Sequence, residues 1–185
     1  QLIFDSGAIG LVLTTAAIKT KCSSIKGNYI NNSLQIGSLI WENLNIAARQ
    51  QTGHGADGLF GWDLFDGRIV EIDYEKKHFI VHSTLNRAHK NYTRLKMEYV
   101  NYLFCITATL KVKGKTYSNR FLFDTGFEKT IMLDTTIMRE QNFPKDLTVF
   151  KKVFMQNSKA EQIAVNYVTL PEIIIGNTGL SDIPT

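Results

Sequence analysis

Apolar residues in this chain recur in short runs separated by turn-forming residues. Tyr99 to Val112 is rich in β-branched and aromatic residues, Lys113-Gly114-Lys115 makes a tight turn, and Thr116 to Phe123 returns. This pattern predicts a hairpin that leads straight into Asp124. Glu71-Ile72-Asp73-Tyr74 and His78-Phe79-Ile80-Val81 flank the polar Glu75-Lys76-Lys77 with alternating faces, which predicts a second hairpin. Helical periodicity is weaker. Leu39 to Gln51 has apolar positions at Leu39, Ile40, Leu44, Ile46 and Ala47, and Asp134 to Gln141 follows a capping aspartate, so each predicts a short helix. Pro144 and Pro171 divide the second half into short pieces. The fold class expected is all-β with a few short helices.

One pattern recurs at long range. Leu2-Ile3-Phe4-Asp5-Ser6-Gly7 is echoed by Phe121-Leu122-Phe123-Asp124-Thr125-Gly126, 119 positions later. Three apolar residues, an aspartate, a small hydroxyl residue and a glycine return in the same order. Such an echo predicts two related lobes, with the boundary inside the stretch Ala88 to Thr93. The expected domains are residues 1–88 and 89–185.

Composition narrows the function classes. At 185 residues, 44% apolar and 21% charged, the chain has an ordinary globular balance and length for one large domain or two small lobes. The net charge of +4 owes most to Thr84–Met97, where Arg87, Lys90, Arg94 and Lys96 occur without an acidic residue. No aromatic-rich recognition motif accompanies them, so a solvated linker or helix face is expected and a nucleic-acid partner is not. No run approaches the length of a membrane span. Cys22 and Cys105 lack any metal or redox spacing, and a disulfide or two thiols are both open to them. Sequons begin at Asn31 and Asn91.

An apolar strand that stops at Asp-Ser/Thr-Gly delivers a carboxylate to the end of a buried element, and the glycine lets another backbone come close. The hydroxyl of Ser6 or Thr125 is suited to fix the carboxylate's surroundings. On these residues the chain resembles the pepsin and retropepsin superfamily of aspartic peptidases, in its tandem bacterial retropepsin-like form. A second motif carries the resemblance: Leu59-Phe60-Gly61, followed by Trp62-Asp63-Leu64-Phe65, is similar to the apolar-apolar-Gly segment that closes such a lobe. The resemblance implies a two-lobed acid-protease barrel fold and an aspartic endopeptidase with Asp5 and Asp124 as catalytic residues. Ser6, Gly7, Thr125 and Gly126 become the supporting loops. A flap over the cleft is implied between Lys26 and Ile36, with Tyr29 and Trp41 as candidate flap or substrate contacts, and a second around Met155 to Lys159. It further implies a peptide or protein substrate, no cofactor and no metal, and an extracytoplasmic location. Two carboxylates about 3 Å apart share one proton, so that one acts as base and the other as acid.

Three departures weigh against full correspondence. Phe127 stands where a small residue is usual, the second lobe has no clear apolar-apolar-Gly counterpart after Ile173-Ile174-Ile175-Gly176, and no hairpin precedes Leu2. The last two are expected of a truncated or processed form. They keep open an alternative, a catalytically inactive peptide-binding or assembly module on the same fold. Other chemistries lack their signatures. His78 and His82 sit four apart on an expected strand, Asp57, Asp63 and Asp66 do not match a calcium loop, and no Gly-x-Ser-x-Gly or phosphate-binding glycine pattern occurs.

Overall fold

A computed structural model describes residues 1–22, 25, 29–52, 55–84, 92–133, 135–156 and 162–185. Among these residues it contains fourteen strands, two short α-helices and a single 3-10 turn, so the chain is β-rich. It divides into two compact units. The first takes Gln1–Tyr92, Tyr99–Phe104 and Phe123–Gly126; the second takes Thr93–Glu98, Cys105–Leu122 and Phe127–Thr185. The division is therefore not one cut near 88–93: the Asp124 loop belongs with the Asp5 loop.

In the first unit the elements are β1 (Leu2–Asp5), β2 (Leu11–Thr14), α1 (Thr15–Lys21), β3 (Asn32–Ile36), β4 (Leu39–Leu44), β5 (Ile46–Arg49), β6 (Gly58–Gly61), β7 (Ile69–Asp73) and β8 (His78–His82). Four strands form one sheet in the order β1-β6-β2-β5, while β3-β4 and β7-β8 are separate hairpins. Parallel pairing of β1 with β6 sets Asp5 opposite Gly61, and this puts Leu59-Phe60-Gly61 beside the Asp5 loop, where the sequence motif led us to expect it. Gly61 is required there. A Cβ on it would lie 2.5 Å from the Ala8 carbonyl oxygen and 2.5 Å from the Ile9 Cα, both backbone atoms that cannot swing aside. Leu11, Leu13, Ile18, Ile46, Phe60, Leu64 and Phe65 form the core beneath this sheet. Phe4 packs on Phe60 and Phe65, each with ring centroids 5.7 Å away, so the apolar run before Asp5 is anchored by aromatic contacts.

The helix expected over 39–51 is instead β4 and β5. Its apolar positions alternate inward as a strand's do: Leu39 and Trp41 pack on the core, whereas Ile40 between them is exposed. Helix α1 gave little sequence signal, being only seven residues long. It is capped by the Thr14 hydroxyl, which accepts from the Ala17 N–H.

The later elements are β9 (Met97–Val100), β10 (Leu103–Val112), β11 (Lys115–Leu122), α2 (Thr135–Glu140), β12 (Val149–Gln156), β13 (Gln162–Ile175) and β14 (Thr178–Pro184). Their sheet runs β11-β10-β13-β12, with β14 on β13 and β9 on β10. Leu110, Val112 and Leu170, each 1% exposed or less, centre the second core. Pro171 does not end a strand as its position suggested. It sits inside β13 where that strand changes partner, pairing with β12 up to Val168 and with β10 from Glu172, and a residue without an N–H is tolerated at such a changeover.

The barrel expected from the resemblance is not closed: among the described residues every sheet has open edges. Strand β11 is one of those edges, and Leu122 and Phe123, read as buried in the sequence, are 44% and 43% exposed. Strand β1 is likewise an edge, pairing with β6 alone among the described residues. No helix among the described residues is long and apolar enough to cross a membrane, and Cys22 and Cys105 are free thiols.

Candidate active site

Asp5 is the last residue of β1, and Asp124 lies two residues beyond β11. Each carboxylate first organises its own loop. Asp5 Oδ1 accepts from the Gly7 N–H at 2.8 Å, and Asp124 Oδ1 accepts from the Gly126 N–H at 2.8 Å. This small Asx-type turn is available to Asp because its short side chain reaches the N–H two residues on.

The two loops then bind each other with the same contacts exchanged. The Ser6 N–H donates to Thr125 Oγ1 at 3.0 Å, and the Thr125 N–H donates to Ser6 Oγ at 3.0 Å. Ser6 Oγ donates in turn to the Phe123 carbonyl at 2.7 Å, and Thr125 Oγ1 donates to the Phe4 carbonyl at 3.3 Å. Ser6 is only 4% exposed, so its hydroxyl and the groups it satisfies have no water to fall back on. Each of these six bonds of residue i in one loop is matched by residue i+119 in the other, as a local twofold axis between the loops requires.

The glycines show how closely each carboxylate approaches the opposite loop. A Cβ built on Gly7 would meet Asp124 Cγ at 2.6 Å, and one built on Gly126 would meet Asp5 Cγ at 2.6 Å. Each aspartate thus lies across the opposite loop, directly over the glycine two residues beyond the other aspartate. Both aspartates are half-buried. Each carboxyl group is held by its own loop's glycine N–H and lies against the glycine of the other loop.

The Asp5 loop is tied down further along. The Gly10 N–H donates to Asp63 Oδ1 at 2.6 Å, the Gly61 N–H donates to the Gly10 carbonyl at 2.8 Å, and Gly10 takes a φ of 74° to make this turn. Asp63, which follows the Leu59-Phe60-Gly61 motif in the sequence, is therefore a positioning residue for the loop. Asp57 at the start of β6 binds the Lys21 ammonium at 2.7 and 2.8 Å, and that hydrogen bond holds its carboxyl below the usual carboxylate range. His82 faces Glu71 across the β7-β8 hairpin at 2.8 Å.

Of the sequence-selected residues, Asp5, Ser6, Gly7, Asp124, Thr125 and Gly126 come together. Trp41 does not join them: its Nε1 donates to the Leu64 carbonyl and its ring meets Phe65 edge-on at 5.4 Å, which makes it a core aromatic. Tyr29 precedes the β3-β4 hairpin rather than standing at its tip, and its carbonyl accepts from the Ile46 N–H at 2.6 Å. The tip is at Gly37, where φ is 59°. Residues 26–28 and 157–159 of the two expected flaps lie outside the described residues. In comparison with known proteins, no family model matches the chain, and no curated protein or solved structure is significantly similar to it.

Proposed function

We propose that this chain is an aspartic endopeptidase of the pepsin and retropepsin type, hydrolysing peptide bonds with a water held between Asp5 and Asp124. The observation that carries this reading is the exchanged pairing of the two Asp-Ser/Thr-Gly loops, with each carboxyl group seated over the other loop's glycine. A structural pair of aspartates has no need of such symmetry, because like charges brought together only cost stability. A pair sharing one proton has a use for it, since either carboxyl can then be base or acid.

In the proposed reaction the ionised carboxylate takes a proton from the water as its oxygen bonds to the scissile carbonyl carbon. The protonated carboxyl donates to the carbonyl oxygen, which becomes a hydroxyl of a tetrahedral diol. Collapse breaks the carbon–nitrogen bond: the amine nitrogen receives the proton taken from water, and a diol hydroxyl returns its proton to the dyad. The two glycine N–H donors hold the carboxylates in place throughout.

Incubating the full chain with a mixed peptide library across a range of pH, with and without a statine-type inhibitor, tests the reading. We expect cleavage that the inhibitor blocks. Cleavage insensitive to the inhibitor, or no cleavage at any pH, rejects it.

A further inference from the structure

Beside the dyad, the first unit holds a cavity of about 550 Å³ that begins at Gly7. Its near wall is apolar, formed by Ala8, Ile9, Val12 and Leu59, and Arg49 at the end of β5 stands on its lining. Among the described residues Arg49 is the one charged group on that lining, and it forms none of the ion pairs found there. A guanidinium left without a carboxylate, over an apolar floor, is complementary to a side chain with a short apolar stem and an acidic end.

Two further lining residues point the same way. Asn101 and Tyr102 make the turn between β9 and β10 with φ of 49° and 65°. Two-residue turns of this kind favour glycine at the second position, so a tyrosine there is disfavoured by its own backbone. The turn is held from behind: Trp62 Nε1 donates to the Tyr102 carbonyl at 3.0 Å, and Trp62 packs on Phe104 and Tyr99 with centroids 4.6 and 5.4 Å away. Tyr102 is left 68% exposed on the lining of the cavity. Strained backbone clusters at ligand-binding sites, and tyrosine is enriched at interfaces because one end of its side chain is apolar and the other polar.

We propose that this cavity is the subsite that selects an acidic residue of the substrate, with Arg49 pairing its carboxylate and Tyr102 covering its stem. The assignment rests on the peptidase reading of Asp5 and Asp124. It makes acidic peptides the favoured substrate class.

The test is a set of peptides in which Glu, Gln or Lys is placed at each position flanking the scissile bond in turn. At one position Glu should be cleaved with kcat/KM about tenfold above Gln. Arg49→Glu should invert that preference in favour of Lys. Cleavage that depends on Asp124 but keeps one charge preference in wild type and Arg49→Glu alike overturns the subsite and leaves the peptidase reading standing. Binding of the same peptides to the Asp124→Asn variant, read by fluorescence anisotropy, separates the remaining cases. If nothing is cleaved but binding still favours Glu and inverts in Arg49→Glu Asp124→Asn, the peptidase reading falls and the acidic subsite stands; if binding is indifferent to both charges, the subsite is overturned.

Discussion

Asp5→Asn and Asp124→Asn should each lower kcat/KM for a cleaved peptide by about 10⁴-fold, because either change removes the proton that one carboxyl must give or take. The amide is nearly isosteric with the carboxylate and keeps an oxygen in place to accept from Gly7 or Gly126, so the loops should stay paired and thermal unfolding should barely move. The two losses should not add. Once one carboxyl is gone the other has no partner to exchange with, and the double variant should be no slower than either single one. Steady-state kinetics beside a thermal melt gives the answer. A single variant that keeps activity within about tenfold of wild type would mean that one aspartate works alone, contrary to the shared-proton mechanism.

The glycines should prove nearly as sensitive. In Gly7→Ala the new methyl would sit 2.6 Å from Asp124 Cγ, and in Gly126→Ala it would sit 2.6 Å from Asp5 Cγ. Neither carboxyl can retreat without giving up its own loop's N–H. We expect each substitution to cost about 2 kcal/mol of stability through overpacking and to lower kcat/KM by at least about 100-fold through misplacement of the opposing carboxyl. Because the contacts are exchanged, the two phenotypes should match. Gly114→Ala is the control: its Cβ meets nothing within 4 Å, and only the φ of 74° opposes it. Denaturant unfolding with parallel cleavage assays checks both effects, and a Gly7→Ala protein as stable and active as wild type would show that the carboxylates do not approach as described.

Much of this site was legible because the repeat is a repeat of chemistry. Asp, a hydroxyl residue and Gly recur at a fixed offset behind apolar residues, and each type is needed: Asp for the carboxylate, Ser or Thr for the exchanged hydrogen bonds, Gly for the room. The hairpins β7-β8 and β10-β11 were legible from alternation and turn residues alone. The 39–51 segment was misread because its apolar positions fit a helical stripe and an inward-facing strand pair about equally well, and tertiary pairing with β2 and β3 decided between them. Pro171 looked like a break because local sequence does not reveal a strand that changes partners. Trp41 looked like a substrate contact for its residue type, but the Leu64 carbonyl gives its indole N–H a buried partner. Arg49 and Tyr102 were beyond reach, since no local pattern marks them; Asp63 stood within a motif, but its bond to the Gly10 N–H, 53 positions away, was not legible.

The central claim is that Asp5 and Asp124 grip one oxygen between them. A crystal structure of the full chain with a statine-type inhibitor tests it most directly, since the statine hydroxyl takes the place of the attacking water. This hydroxyl should lie about 3 Å from a carboxyl oxygen of Asp5 and about 3 Å from one of Asp124, a hydrogen-bond distance to both. A hydroxyl that reaches only one of them, or an inhibitor seated away from both, would contradict it.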